Sequence, residues 1–196
     1  MKQFGFFLGT LLAVTTLASA QSAQEVPATP MAEVGLNYSL FHANSAQDTR
    51  SITSNGGSGY FVYNLNHVVG VVADLGGYHN GSVHGPLESD TTFTYLFGPR
   101  FNLRRSRFNP YVQFLFGGAR LSATTNLNGT MASSDHNAFA TAAGGGIDIA
   151  VTHHIAIKPI QVEYVMTQLP NFTTDRNSFQ NNVRYSAGVV FKFGQK

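Results

Sequence analysis

The sequence predicts an all-β chain, an eight-stranded antiparallel up-and-down transmembrane β-barrel. Three observations predict it: hydrophobic residues recur with a period of two nearly everywhere, charged residues make up only 11% of the chain, and long and short connections alternate. Typical globular proteins contain about 25% charged residues. After residue 20, no apolar run approaches the roughly 20 residues of a membrane-spanning helix. Cysteine is absent, so the fold has no disulfides to stabilise it.

Residues 1–20 are predicted to be an export signal. Lys2 provides a positive start, an apolar stretch follows over 4–17, and Ala18-Ser19-Ala20 is a small-x-small cleavage site. The rest of the chain divides into a flexible lead-in, a barrel and a short tail, at residues 21–31, 32–193 and 194–196.

The first four predicted strands each show the alternation in their own way. In the first, Val34 and Leu36 alternate with Glu33 and Gly35. The second is glycine-rich and then aromatic, the third alternates valine with glycine, and the fourth repeats aromatic residues at every second position. These strands are expected at about 32–41, 57–65, 68–78 and 91–101.

The last four predicted strands complete the set. The fifth has an open register, because Gly117-Gly118 could host a β-bulge. The sixth sets large residues against alanine and glycine, and the seventh sets Gln161 and Glu163 against apolar neighbours. The eighth alternates strictly and ends in two aromatic residues. These strands are expected at about 110–121, 137–150, 155–166 and 182–193.

The connections alternate in length and therefore indicate an orientation. Barrels of bacterial outer membranes have short periplasmic turns and longer extracellular loops. Because the first connection is long, the first strand is expected to run outward, and eight strands return both termini to the periplasm. The polar long connections are at 42–56, 79–90, 122–136 and 167–181, and the short ones at 65–67, 102–109 and 151–154.

The two faces of the strands differ in size, which predicts where each points. One face carries many rings, at Phe93, Tyr95, Phe97, Phe101, Phe114, Phe116, Tyr185, Phe191 and Phe193. The other carries mainly small or polar residues, among them Gly35, Ser39, Gly70, Gly76, Thr92, Thr94, Gly98, Ala140, Gly144, Ser186 and Gly188. Eight strands leave a lumen just wide enough for side chains. The rings are therefore expected outside, against hydrocarbon, where closure of the sheet satisfies every backbone group.

The pattern Ser186-x-Gly188-x-x-Phe191-x-Phe193 resembles the C-terminal signal of outer-membrane barrels. Residues 32–193 as a whole resemble the OmpA/OmpX-type eight-stranded barrels, whose penultimate-strand pattern is similar to that of residues 160–164. The resemblance implies an integral protein of the outer membrane of a diderm bacterium. It also implies that the barrel-assembly machinery recognises the last strand.

Alternation places seven charged residues in the lumen, where unpaired charges are costly. They are Glu33, Asp74, Arg100, Asp148, Glu163, Arg184 and Lys192. Glu33 and Lys192 are expected to be neighbours at the closing seam, and Glu163 and Arg184 to pair near the outer ends of strands seven and eight. Arg100 and Asp148 are both expected near the periplasmic end. The pairs either plug the barrel or line a gated ion path.

Four other motifs carry weaker chemical signals. Ser134-Asp135-His136 contains triad residue types, but a triad is recognised by geometry. His153-His154 lacks a third metal ligand at a convincing spacing. The turn at 104–107 is either a solvated basic turn or a contact for anionic lipid, and Gly144-Gly145-Gly146 lacks the lysine of a phosphate-binding loop. No catalytic, metal or cofactor site is predicted.

The predicted function is structural or surface-interacting, with the long outward loops as contact surface for an extracellular ligand. The alternatives are a narrow channel, a lipid-modifying hydrolase that uses Ser134 and His136, and a soluble lipocalin-like carrier. Without Lys2 the chain has 11 basic and 10 acidic residues, a net charge of +1. Nucleic acid is therefore not an expected partner.

Overall fold

The computed structural model describes residues 29–43, 52–80, 87–127, 130–170 and 177–195, with side chains from 29–42, 53–79, 91–122, 137–168 and 181–195. The predicted export signal and most of the lead-in lie outside these residues. Eight strands form one closed antiparallel barrel in sequence order. They are β1 (Ala32–Ala43), β2 (Ile52–Asn64), β3 (Val69–Asn80), β4 (Leu87–Asn102), β5 (Phe108–Leu127), β6 (Thr130–Ala150), β7 (Ile155–Pro170) and β8 (Asn177–Phe193).

The barrel closes where β1 pairs with β8, and this confirms the predicted fold class. Ala32 lies opposite Phe193, so the start of β1 and the end of β8 lie at one end of the barrel, here called the terminal end. The opposite end is called the distal end. Within the described residues, no helix is long and apolar enough to cross a membrane.

Several strands extend further toward the distal end than the sequence predicts. β5 has 20 residues and β6 has 21, whereas β1 has 12. Most of the predicted connection at 122–136 is therefore a β-hairpin, with Leu127 paired to Thr130. The predicted connection at 167–181 likewise contains the ends of β7 and β8. Ladder hydrogen bonds between the paired backbones hold these polar segments in strands despite their loop-like composition.

The outer surface of the barrel is an apolar belt. All nine rings predicted to face outward are exposed, with Phe97 at 53% and Phe116 at 54%. Aliphatic side chains such as Leu36 and Leu75 lie between them and are exposed as well. Apolar exposure on this scale marks a surface that meets a membrane or a partner.

The lumen holds larger side chains than the sequence indicates. Three tyrosines, Tyr60, Tyr78 and Tyr111, are buried inside together with several valines and leucines. Each ring lies over an interior glycine of a neighbouring strand, respectively Gly35, Gly56 and Gly146, and a Cβ atom there would overlap the ring. The small residues therefore make room for large ones, and the interior is packed.

The register is irregular at a place that the sequence argument did not anticipate. β5 pairs with β6 without interruption through Gly117 and Gly118. The register shifts elsewhere, in β4 between Leu87 and Ser89 and in β7, where the pairing with β8 shifts between Lys158 and Gln161. Pro159 lies inside this shift and has no N–H to donate to a ladder, which is why proline in a strand is typical of a bulge.

The final part of the predicted lead-in packs against the terminal end. Thr29 and Pro30 are buried. Thr29 contacts the ring of His67, and Asn64 Nδ2 donates to the Pro30 carbonyl over 2.8 Å. β1 begins at Ala32, the predicted first residue of the barrel, and residues 29 and 30 pack against its terminal end.

A strained turn joins β4 to β5. Arg105 and Phe108 exchange two backbone hydrogen bonds of 2.9 and 2.7 Å across Ser106 and Arg107. Ser106 has a φ of 42°, a left-handed conformation that glycine adopts without steric cost.

Replacing Ser106 with glycine is therefore expected to raise the free energy of unfolding by about 1 kcal/mol, since it relieves the strain of a non-glycine residue in this region. Urea unfolding of the protein in lipid vesicles measures the change. The matched control is Arg107→Gly at the next position, where φ is not positive and glycine is expected to give no gain. Equal effects of the two substitutions would contradict the strain argument.

Candidate functional site

The lumen contains two layers of buried charged side chains. The distal layer centres on Arg184, whose side chain is 1% exposed. Its Nε donates to Glu163 Oε2 over 2.7 Å, and its Nη1 donates to Asp74 Oδ1 and to the Tyr78 hydroxyl over 2.8 Å each. One guanidinium therefore joins β8 to its neighbour β7 and, across the lumen, to β3.

The sequence predicts the pairing of Glu163 with Arg184 but not the contact with Asp74. Glu163 and Arg184 are direct partners in the β7–β8 register. Both lie near the middle of their strands, because β7 and β8 continue beyond the predicted ends. The contact with Asp74 spans the barrel, so it depends on the summed stagger of the intervening strands, which local alternation does not reveal.

Lys158 is a buried lumenal cation that the sequence argument missed. Its Nζ donates to Gln161 Oε1 over 2.7 Å and lies 3.8 Å from the centre of the Tyr60 ring. Counting alternate residues from Gln161 and Glu163 would place Lys158 outside. The bulge at Pro159 reverses the alternation, so the proline was the signal that could have found this residue.

Amide side chains link these groups. Gln161 Nε2 donates to Glu163 Oε2 over 2.7 Å, and Gln113 Nε2 donates to Glu163 Oε1 over 2.8 Å. The Tyr111 hydroxyl donates to Gln161 Oε1 over 2.7 Å. The Glu163 carboxylate is therefore satisfied on both oxygens, as a buried charge must be.

The terminal layer centres on Arg100, which is fully buried. Arg100 forms an ion pair with Asp148, and its Nε donates to Asn102 Oδ1 over 3.0 Å. Its guanidinium carbon lies 3.5 Å from the centre of the Tyr111 ring, a cation–π contact. Tyr111 thus touches both layers, through its ring on one side and its hydroxyl on the other.

Glu33 and Lys192 lie opposite each other at the closing seam, but the carboxylate of Glu33 bonds elsewhere. The two residues are direct partners in the β1–β8 register. Glu33 Oε1 accepts hydrogen bonds from Arg104 Nη2 over 2.7 Å and from Asn64 Nδ2 over 2.9 Å. Arg104 therefore turns into the barrel end, which corrects both sequence interpretations of this residue. The arginine side chain is longer than that of Lys192, and its guanidinium can donate two parallel hydrogen bonds to a carboxylate. Arg104 therefore reaches Glu33 from the β4–β5 turn and completes the terminal layer.

Among the described side chains, the buried acids and the buried bases are equal in number, and Lys192 is only partly buried. All acidic side chains that the structure describes are buried, at Glu33, Asp74, Asp148 and Glu163. Four buried bases face them, at Arg100, Arg104, Lys158 and Arg184. Three of these bases, Arg100, Arg104 and Arg184, form ion pairs with the buried acids.

The residues of the predicted assembly signal divide between the two faces. Phe191 and Phe193 are exposed on the outer face, at 38% and 52%. Ser186 lies inside, with its hydroxyl 2.8 Å from that of Ser39 on β1. Gly188 lies against the backbone of Leu36, where a Cβ atom would overlap the carbonyl oxygen.

The weaker chemical candidates gain no support as sites. Ser134 and His136 lie on β6, paired with Ala123 and Leu121, and their side chains are outside the described part. His153 and His154 are exposed in the turn after β6. Across the described residues, no group of three or more histidine or acidic side chains is placed to hold a metal ion.

Comparison with known proteins identifies the family. The family model for the outer membrane protein β-barrel domain matches residues 10–193. The chain belongs to this family. Membership implies a bacterial outer membrane, and the apolar belt is therefore the surface that meets lipid. Among curated proteins, no sequence matches this chain significantly.

Solved structures of bacterial outer-membrane proteins share the fold. The attachment invasion locus protein Ail of Yersinia pestis is 14% identical with a TM-score of 0.61, and the Neisserial surface protein A is 18% identical with a TM-score of 0.64. For both, the match covers 83% of this chain and 97% of the other. OprG of Pseudomonas aeruginosa is 13% identical with a TM-score of 0.54, over 86% and 99% of the two chains. At these identities the similarity extends to the fold alone.

Proposed function

We propose that this protein is a plugged outer-membrane barrel with a structural or surface-interaction role. The observation that carries the proposal is the contact of Arg184 with Glu163 on one side of the lumen and Asp74 on the other. A second ion pair, between Arg100 and Asp148, lies nearer the terminal end. With tyrosines and valines filling the space between, the lumen offers no through-passage for solutes.

The orientation follows from the lengths of the connections. In the proposed orientation the short turns and the terminal end lie in the periplasm, and the distal end points out of the cell, as is general for this class of barrel. The β5–β6 hairpin then extends outward further than β1, by eight or nine residues per strand. At about 3.3 Å per residue this is roughly 25–30 Å measured along the tilted strands.

The distal hairpins are proposed as the surface that contacts an extracellular ligand. The segment 122–136 is rich in serine, threonine and asparagine, which suit hydrogen bonding to carbohydrate or protein. Ail of Yersinia pestis has been solved in complex with the heparin analogue sucrose octasulfate. Its low identity to this chain makes that compound a useful probe rather than an assigned ligand.

No catalytic role is proposed. Where histidines contact hydroxyl groups in the described part, at Thr29–His67, His42–Thr53 and His79–Thr91, no carboxylate stands behind the imidazole ring. A hydrolase triad needs such an orienting acid.

Recognition by the assembly machinery is proposed to use the last strand. Phe191 and Phe193 are accessible from outside, whereas Ser186 and Gly188 fit closely against β1. Once β8 has formed, the two phenylalanine rings are therefore the part of the signal that the assembly machinery can contact.

Conductance in planar bilayers tests the plug. The parent protein is expected to give no resolvable current steps. A triple variant with Asp74, Glu163 and Arg184 all changed to serine is expected to give discrete steps, because it removes the guanidinium that spans the lumen together with both carboxylates that it binds. The control is the same triple serine change made outside the lumen, at Thr91, Arg105 and Arg107, which is expected to remain silent.

A parent protein that conducts as well as the triple lumenal variant would overturn the plug and favour the narrow channel. Retained heat-modifiable migration on gels establishes that each variant still forms a barrel, so silence cannot be attributed to misfolding.

A further inference from the structure

Two neighbouring turns at the terminal end present four basic or titratable side chains. The β4–β5 turn carries Arg105 and Arg107, and the β6–β7 turn carries His153 and His154. The backbone N–H of Ala150 donates to the Arg107 carbonyl over 2.8 Å, which joins the first turn to the end of β6. These four residues are called the basic rim patch.

Among the side chains that the structure describes, the charge of the patch has no acidic partner. Arg105 and Arg107 are exposed and take no part in any ion pair of the described residues. Every acidic side chain that the structure describes is buried in the lumen. Arg104 of the same turn differs, because its guanidinium is bound to Glu33. The rim therefore offers cationic groups to an anion from outside.

The surroundings of the patch are apolar. Leu103 and Phe108 flank the arginines and are each 56% exposed, and Val151 beside the histidines is 62% exposed. These side chains continue the apolar belt to the end of the strands, so the patch lies where hydrocarbon gives way to lipid headgroups. The β2–β3 turn, Leu65 to Val68, carries no arginine at the same end. Among the turns described at this end, the β4–β5 turn is thus the one that carries arginine.

We propose that the basic rim patch binds the phosphate of an anionic phospholipid headgroup. Arginine forms paired, charge-assisted hydrogen bonds to phosphate oxygens, and its aliphatic stem packs along apolar surface. The lipid acyl chains then lie on Leu103 and Phe108. Headgroup binding follows from family membership and this geometry, whereas its assignment to the periplasmic leaflet rests on the proposed orientation.

The chain contains no tryptophan, so one introduced indole reports on one place. Phe108→Trp places the reporter beside the patch, and Leu65→Trp places a control reporter on the turn that lacks arginine. Full-length protein is reconstituted in phosphatidylcholine vesicles that contain brominated phosphatidylglycerol or brominated phosphatidylcholine. Quenching of each reporter then gives its preference for the anionic lipid.

We expect phosphatidylglycerol to be preferred at Phe108→Trp and not at Leu65→Trp. Adding Arg105→Gln or Arg107→Gln is expected to lower the preference about fivefold each, from the roughly 1 kcal/mol that a basic residue contributes near an anionic surface. Raising the salt concentration is expected to weaken the preference by screening.

Equal preference at the two reporters, or a preference that survives the double glutamine change, would overturn the proposal. Loss of quenching on adding inorganic phosphate at constant ionic strength would also overturn it, since the site would then bind a soluble anion rather than a lipid. Heat-modifiable migration of every variant excludes misfolding. The outcome is independent of bilayer conductance, so the plug and the lipid site fail separately.

Discussion

Replacing Arg184 with methionine is expected to lower the free energy of unfolding by about 3–5 kcal/mol, the usual cost of leaving a buried ion pair without one partner. The loss is large because two carboxylates, those of Asp74 and Glu163, depend on this one guanidinium. Methionine retains the length of the side chain, so little of the loss comes from a cavity. Urea unfolding in lipid vesicles, followed by heat-modifiable migration, measures it.

The same position provides its own control. Adding Asp74→Asn and Glu163→Gln to Arg184→Met removes the unpaired charges and is expected to recover most of the lost stability. Arg107→Met, at an exposed turn, is expected to change stability by no more than about 0.5 kcal/mol. A triple variant no more stable than the single variant would mean that lost packing, rather than unpaired charge, causes the effect.

Replacing Phe97 with arginine is expected to destabilise the barrel by about 2–4 kcal/mol, the cost of a basic residue on the lipid face near the bilayer midplane. Phe97 lies on β4 opposite Ala73 and Phe116, within the belt and away from both rims. Its ring is 53% exposed, so the substitution disturbs little packing inside the protein. The cost therefore reports on the medium that surrounds the side chain.

The matched control is Phe108→Arg at the terminal rim, where the ring is similarly exposed, at 56%. A basic residue near the interface is expected to cost no more than about 1 kcal/mol. If both substitutions lowered the free energy of unfolding by the same small amount, the belt would be surrounded by water. That result would contradict the membrane assignment. Equilibrium unfolding from vesicles, with both variants in the same lipid, makes the comparison.

The interior shows where sequence reasoning succeeds and where it stops. Glu163 and Arg184 were predicted together because they lie on consecutive strands, whose pairing follows from one short segment of sequence. Asp74 lies three strands from Arg184 around the closed barrel, so their contact depends on the stagger of every strand pair between them. Lys158 was missed because one bulge at Pro159 reverses the alternation.

Arg104 shows a second limit of the same kind. Its neighbours Arg105 and Arg107 remain exposed, while Arg104 reaches Glu33 on another strand. The three arginines cannot be distinguished from the sequence, because the residue type does not indicate the direction in which a turn points each side chain. The backbone path of the turn sets these directions. It therefore determines that Arg104 is a structural cation, while Arg105 and Arg107 belong to the basic rim patch.

Hydrophobic alternation is enough to predict the number of strands, their order, and which face of each meets lipid, because a period of two is a property of each strand alone. Closure of the barrel decides which further side chains meet inside: Arg184 with Asp74, Arg104 with Glu33, Tyr60 over Gly35. The reason is geometric. Contacts across a closed lumen depend on stagger and bulges added around the whole barrel, so a change of one residue in any strand alters every pairing beyond it.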